Sequence, residues 1–285
     1  MSEATSSSDK LDLSVVIPFH NKAKLTMLAV DSLLKFGPRL REIILLSNNS
    51  SPDELEAIKL ATVSRPFIKI FEYNHPFNYQ KLMNFGVEQA TGQFLLLLNN
   101  DTELRPESAG LIERMVAKAA DPKVGIVGCT LLYGDGNTIQ HGGVFLRPKG
   151  QAEHLYAGRR YSQSIAADRD VSIFPYDITT DLAMTAVTGA VQVVEKAKYV
   201  GVGGMDTRFI ICGGDVDLCI RLNHTGMQTW FVGGGFLLHK ESQSRAFIPI
   251  PYNDFYWSYR SYMQGFDIEV GDRYLPAITN QEDFR

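Results

Sequence analysis

Phe94-Leu95-Leu96-Leu97-Leu98-Asn99-Asn100-Asp101 decides the reading of this chain. An unbroken apolar run, preceded by Thr91-Gly92 and ended by three oxygen-bearing side chains, suits a central parallel strand covered by helices on both faces. In open α/β sheets ligands bind outside the carboxyl ends of such strands, so Asp101 stands where a metal or a phosphate would be held. The same three polar residues also suit a turn that caps the next element of the chain. On this segment alone both readings stay open.

Upstream of this run the pattern is strand, loop, helix. Leu13-Ser14-Val15-Val16-Ile17-Pro18-Phe19 is a β-branched run stopped by proline, and Leu25, Leu28, Ala29 and Leu33 then recur at a helical period over 24–36. Glu42-Ile43-Ile44-Leu45-Leu46 repeats the strand and ends in Ser47-Asn48-Asn49-Ser50-Ser51-Pro52-Asp53, before a helix carrying Leu55, Ile58 and Leu60. A short strand over 68–73 and a helix over 79–90 come next. Strands alternating with helices predict an α/β fold with a right-handed, mostly parallel, Rossmann-like central sheet.

Downstream, the spacing predicts a helix over 106–119, a strand over 124–128, a second ordered stretch over 184–194, a helix over 215–225 and a strand over 229–232. Residues 132–180 are rich in Gly, Tyr, Arg and His, and predict a smaller mixed region of short strands and long loops. The polar residues 1–10 read as a disordered tail. The remainder, 11–285, reads as one domain, with a ligand-binding half over 11–130 and a second half over 131–285.

Composition narrows the function. At 285 residues and 45% hydrophobic the chain can bury a full core, and a formal net charge of -4 argues against a nucleic-acid-coating surface. Cys129, Cys212 and Cys219 match no metal spacing and read as reduced thiols of a cytoplasmic protein. No run reaches the roughly eighteen apolar residues that span a bilayer, so any membrane contact is expected to be peripheral. HExxH, paired CxxC and GxxxxGK[ST] are all absent, and Gly201-Val202-Gly203-Gly204 reads as a turn.

Two further segments could carry chemistry. Gly213-Gly214-Asp215-Val216-Asp217 sets two carboxylates at a helix start, either as dipole-favoured capping charges or as a general base held beside a cleft. Phe236-Leu237-Leu238-His239-Lys240-Glu241-Ser242 ends another apolar run in a polar cluster, where a lone His serves either structure or a metal. The aromatic run Phe255-Tyr256-Trp257-Ser258-Tyr259 is expected to pack a final helix onto the core; an acceptor platform or a membrane-surface contact is the other reading.

In order, these pieces resemble the family 2 glycosyltransferases of GT-A fold. The matching residues are Ser14-Val15-Val16-Ile17-Pro18 with Asn21, Glu42-Ile43-Ile44 leading to Asn48-Asn49-Ser50, and Asn84-Phe85-Gly86-Val87 with Ala90-Thr91-Gly92. They continue through Leu98-Asn99-Asn100-Asp101, Ile139-Gln140-His141-Gly142-Gly143-Val144, Val187-Thr188-Gly189-Ala190, Asp215-Val216-Asp217-Leu218-Cys219, and His239 with Glu241-Ser242. The pattern is similar to that of bacterial transferases building O-antigens and capsules, rhamnosyltransferase-like members included.

The resemblance implies an inverting, metal-dependent transferase moving a sugar from a nucleotide-diphosphate sugar to a hydroxyl of a glycan or lipid-linked acceptor. It implies a nucleotide-sugar site at Pro18, Asn21, Ser47, Asn48, Asn49, Asn84, Asn99, Asn100, Thr188 and Gly189. Asp101 and His239 would hold Mn²⁺ or Mg²⁺, and Asp215 would be the base. The expected location is cytoplasmic, with peripheral contact at the inner face of the plasma membrane or with a partner domain left open. Ser47 stands where many relatives carry an aspartate, which leaves the nucleobase open, and Gly214 replaces a Glu or Asn that commonly precedes the base. The rivals are a catalytically silent sugar- or nucleotide-binding module of a larger polysaccharide-assembly protein, and a nucleotidyltransferase, whose basic glycine loop 14–24 lacks.

Overall fold

The computed structural model describes residues 10–147, 151–240, 249–267 and 271–275. The tail 1–9, Glu241 and Ser242 lie outside the described residues. Strands β1 (Leu13–Phe19), β2 (Glu42–Ser47), β3 (Ile68–Glu72) and β4 (Phe94–Leu98) are parallel neighbours in the order β3-β2-β1-β4. Helices α1 (Ala23–Phe36), α2 (Pro52–Thr62) and α3 (Tyr79–Gln89) connect them. The run in β4 is apolar throughout because both its faces are covered. Phe94, Leu96 and Leu98 enter a cluster with residues of α1, α2 and α4 (Leu111–Ala119); Leu95 and Leu97 enter one with residues of α3 and α7 (Gly214–His224). Full burial of each such side chain contributes about 1.5–3 kcal/mol.

Close packing explains one glycine. A Cβ on Gly86 of α3 would lie 2.5 Å from Leu46 and 2.6 Å from Val16, so α3 approaches β1 and β2 only because that position lacks a side chain. Asn78 caps α3 by accepting from the Lys81 amide (2.8 Å), and its Nδ2 donates to Thr207 O and Phe209 O. The cap thus ties α3 to the loop that leads into α7.

Beyond β4 the chain adds β5 (Thr102–Leu104), β6 (Val124–Leu132), β7 (Ile139–His141), β10 (Leu182–Met184), β11 (Val191–Glu195) and β12 (Gln228–His239) to the same ten-stranded sheet. The main path runs β10-β12-β6-β11-β4-β1-β2-β3, with β5 on β12 and β7 on β6. Of these added pairings only β12 with β6 is parallel. The remaining pieces are the hairpin β8 (Val144–Arg147) and β9 (Gln151–His154), α5 (Tyr161–Ser164), α6 (Lys196–Gly201), α8 (Tyr252–Gly265) and the short pair β13 (Phe266–Asp267) and β14 (Gly271–Asp272). Position 130 falls inside β6, so the two expected halves share one sheet. No described helix is long and apolar enough to cross a membrane.

Several expectations are corrected. The helix expected over 106–119 is a 3₁₀ turn at Pro106–Ser108 followed by α4, because Gly110 takes φ 81° between them. The stretch over 184–194 divides into β10 and β11, with Val187-Thr188-Gly189 as the loop between them. The strand over 229–232 and the apolar run Phe236-Leu237-Leu238 are one strand, β12, with a register shift between Val232 and Phe236. The aromatic run in α8 does not pack the core: Phe255, Tyr256 and Tyr259 are exposed, whereas Tyr262 turns inward.

Candidate active site

Asp101 lies just beyond the carboxyl end of β4, in a turn that Thr102 closes by donating to Asn99 O (2.8 Å). The chain then forms β5, which pairs antiparallel with the end of β12 and sets Thr102 opposite His239. That register brings two distant residues together: Asp101 Oδ1 is 3.0 Å from His239 Nε2, both are buried, and the Lys240 amide donates to Asp101 O (2.9 Å). His239 Nδ1 meets Gln140 Oε1 at 2.6 Å, and Asn99 Nδ2 is 3.3 Å from Nε2.

These residues fit a divalent cation. Two ligand atoms bonded at about 2.1 Å and at right angles lie about 3.0 Å apart, which is the Asp101–His239 spacing. A carboxylate with an imidazole is a donor set that Mn²⁺ accepts. No cluster of three or more His, Cys, Asp or Glu side chains suited to a metal occurs among the described residues, so the protein offers this pair.

Asp215 sits in the first turn of α7, partly exposed, with Oδ2 accepting from the Gly189 amide (2.7 Å). A Cβ on Gly189 would come within 3.0 Å of Asp215 Cβ, so the glycine allows the loop to close on the carboxylate. Oδ1 has no hydrogen-bond partner among the described residues. Asp217 is different: buried, it accepts from Arg221 Nε (2.7 Å) and Ser261 Oγ (2.7 Å), and it anchors α8 to α7.

Tyr79 links the two carboxylate centres. Its hydroxyl lies within donating distance of Gly189 O (3.2 Å) and Asn99 Oδ1 (3.3 Å). Burial, then the charge of Asp215, pushes the phenol's pKa far above its ordinary 10, so it stays a donor. A chain of contacts therefore runs from Asp101 through His239, Asn99, Tyr79 and Gly189 to Asp215.

Comparison with known proteins shows the family of the chain. Residues 14–166 match the model of glycosyl transferase family 2. The chain belongs to that family. It is 34% identical over 270 residues to the O-antigen biosynthesis protein RfbC of Myxococcus xanthus, a match covering 94% of this chain and 20% of that protein. The chain thus spans about a fifth of that relative's length. Among solved structures, it is similar to GalNAc-T7 with UDP, GalNAc and Mn²⁺ (TM-score 0.62, 19% identity, 81% of this chain and 44% of that one). The mannosyltransferase PcManGT from Pyrobaculum calidifontis, in complex with GDP-Man and Mn²⁺, gives 0.59 at 12% identity over 90% of this chain and 74% of that one. These likenesses show the fold, which is GT-A.

In this family 2 domain the remaining expected residues divide by what their side chains do. Asn21 and Asn49 take left-handed φ values of 52° and 53° at the ends of β1 and β2. Asn21 Oδ1 accepts from the Ser51 amide (2.7 Å), and Asn49 Nδ2 donates to His75 O (2.8 Å), so both shape the rim beside Pro18 and Ser47. Thr188 offers its amide to His141 Nε2 at 3.4 Å, and burial holds that imidazole well below its ordinary 6.5 and neutral.

Three asparagines make structural contacts. Asn48 is buried and its Nδ2 holds Tyr73 O (2.7 Å) and His75 O (3.0 Å), so it supports the rim from beneath. Asn100 Nδ2 donates to Thr26 Oγ1 (3.1 Å) and ties β4 to α1. Asn84 is furthest from the assigned role: Nδ2 donates to Met205 O (2.8 Å) while Oδ1 accepts from Tyr199 Oη (2.5 Å) and the Met205 amide (2.9 Å). Its oxygen is filled and one of its two N–H donors is used, so the side chain secures the turn after α6.

Sequence reasoning did not single out Tyr79, Asp254 or the side chain of Gln140. Asp254 of α8 is fully buried and accepts from the amides of Ile210 (2.7 Å), Ile211 (2.8 Å) and Cys212 (3.0 Å), fixing the loop that delivers Asp215. Gln140 was visible only as part of the Ile-Gln-His-Gly segment. At Gly214, a Cβ would lie 2.7 Å from Gln80 Cδ, so Gln80 fills the space that a side chain there would need.

Proposed function

We propose that this domain is an inverting glycosyltransferase that moves a sugar from a nucleotide-diphosphate sugar to a hydroxyl of a glycan or lipid-linked acceptor, in bacterial surface polysaccharide synthesis. The observation that carries the reading is the single chain of contacts from the Asp101–His239 pair through Asn99, Tyr79 and Gly189 to Asp215. It joins the buried carboxylate of Asp101 to the partly exposed carboxylate of Asp215, and this supports the reading. The O-antigen role of RfbC, and the Mn²⁺ and nucleotide ligands bound to GalNAc-T7 and PcManGT, support it.

Asp101 Oδ1 and His239 Nε2 would hold Mn²⁺ or Mg²⁺, which would supply positive charge to offset that developing on the departing diphosphate. Asp215 takes the acceptor hydroxyl's proton on Oδ1 as the acceptor oxygen bonds to the anomeric carbon. The bond from that carbon to the diphosphate oxygen breaks on the opposite face and its electron pair leaves with the nucleotide. The Gly189 amide holds Oδ2, so the carboxylate keeps one orientation through the transfer. The neutral Tyr79 hydroxyl keeps the Asn99 turn and the 187–189 loop in register.

Donor consumption from a panel of radiolabelled nucleotide sugars tests the reading. Asp215→Asn should lower turnover about 10²–10⁴-fold and leave nucleotide binding intact. Unchanged turnover would remove Asp215 as base. Binding with no turnover in the unmodified chain would favour a silent module.

A further inference from the structure

We propose that Gln140 is a positioning residue for the metal site: its side-chain oxygen fixes the proton of His239 on Nδ1 and so presents Nε2 as the ligand atom. The inference rests on the assignment of Asp101 and His239 as the metal pair. Gln140 is the middle residue of β7, 6% exposed, and His239 is 8% exposed. An amide oxygen only accepts, so in the 2.6 Å contact the hydrogen belongs to Nδ1. Nε2 is then left facing Asp101 Oδ1 at 3.0 Å and the Asn99 amide at 3.3 Å.

β7 is also held in place. It pairs with β6 through Leu131↔His141 and Leu132↔Ile139, and the Gln140 carbonyl accepts from His154 Nδ1 (3.1 Å). Side chains alternate along a strand, so Ile139 and His141 turn to the face opposite Gln140. Ile139 packs in the apolar cluster of the 132–178 region, and His141 takes the Thr188 amide. One short strand thus sets the tautomer of the metal-side histidine and braces the loop that carries Gly189. Partners of this kind orient ligand imidazoles and raise their basicity, and their loss commonly weakens metal binding 10–100-fold.

The test is Mn²⁺ alone, titrated into the full chain and followed by electron paramagnetic resonance of the free ion. Gln140→Leu should weaken Mn²⁺ binding about 10–100-fold. Gln140→Glu keeps an acceptor for Nδ1–H and should bind Mn²⁺ within about threefold of the unmodified chain, or more tightly. A packing role predicts the reverse order, because a buried carboxylate is costlier than a buried leucine. Wild-type affinity in Gln140→Leu, with affinity lost in Asp101→Ala, would overturn the inference and leave the metal pair standing. Wild-type affinity in Asp101→Ala would overturn the pair and the inference with it. A readout independent of any variant is the ¹⁵N spectrum of the histidine-labelled chain with Zn²⁺ as diamagnetic probe. A protonated Nδ1 on His239 is expected, and a protonated Nε2 would overturn the proposal.

Discussion

At the amino end of the parallel strands Glu42 is buried and saturated: Oε1 accepts from Ser14 Oγ (2.7 Å), the Thr91 amide (2.6 Å) and Thr91 Oγ1 (2.7 Å), and Oε2 accepts from Lys69 Nζ (2.6 Å). At the carboxyl end of the same strands Asp101 is equally buried, yet among the described residues its side chain meets only the His239 ring, with Nε2 3.0 Å from Oδ1. Both are carboxylates at the rim of one sheet. The difference lies in how many lone pairs the fold itself uses. Buried polar groups are normally paired, so a saturated carboxylate contributes to stability, while an under-used one keeps capacity for something the chain does not supply.

Changes at the two ends should separate cleanly. Glu42→Gln leaves Lys69 without its ion-pair partner and weakens bonds from Ser14 and Thr91. We expect a loss of about 2–3 kcal/mol in urea unfolding, with nucleotide binding per folded molecule unchanged. A turnover defect exceeding the stability loss would break the contrast.

The acid limb of stability sharpens it. Burial alone would raise the Glu42 pKa, but the bonds from Lys69, Thr91 and Ser14 outweigh burial and bring it from 4.5 down to about 2. A group with a depressed folded pKa contributes stability that is full above its unfolded value and lost as pH falls through the folded one. Stability should therefore decline between about pH 4.5 and pH 2, and Glu42→Gln should flatten that decline in urea titrations at a series of pH values. An unchanged acid limb would contradict the assignment.

Tyr79→Phe is the smallest effect. It removes the hydroxyl between Asn99 and Gly189, so donor turnover should fall roughly tenfold while the unfolding free energy moves by about 1 kcal/mol or less. A large stability loss without a turnover effect would make Tyr79 a packing residue.

Legibility in the sequence divides along the same line. The parallel half could be read because each strand is a short apolar run with its own turn chemistry, and Asp101 stood out where the apolar run stopped. The partner of Asp101 could be named only from the resemblance, because the contact with His239 depends on the register of β5 against β12. The family motifs marked Asn48, Asn84 and Asn100 but not their duties, since the Asn84 side chain meets Tyr199 and Met205, both distant in the chain. In α8 aromatics occupy several faces, with Tyr262 inward and Tyr252, Phe255, Tyr256 and Tyr259 outward, so periodicity gave no inner side. Asp217 beside Asp215 was legible as a charge at a helix start, but its bond from Ser261 follows only from the packing of α8 on α7, while Arg221 holds it from one turn further along α7.

The most direct measurement is the unfolding temperature of the unmodified chain and of Asp101→Ala with UDP, dTDP, GDP, ADP and CMP, each with and without Mn²⁺. Binding to the folded state raises the midpoint, by about 2.7 kcal/mol of stabilisation at a hundredfold excess over Kd. A rise with one nucleotide that grows with Mn²⁺ and disappears in Asp101→Ala is the predicted result. A nucleotide shift that Mn²⁺ and Asp101→Ala leave untouched, or no shift with any nucleotide, would contradict the account.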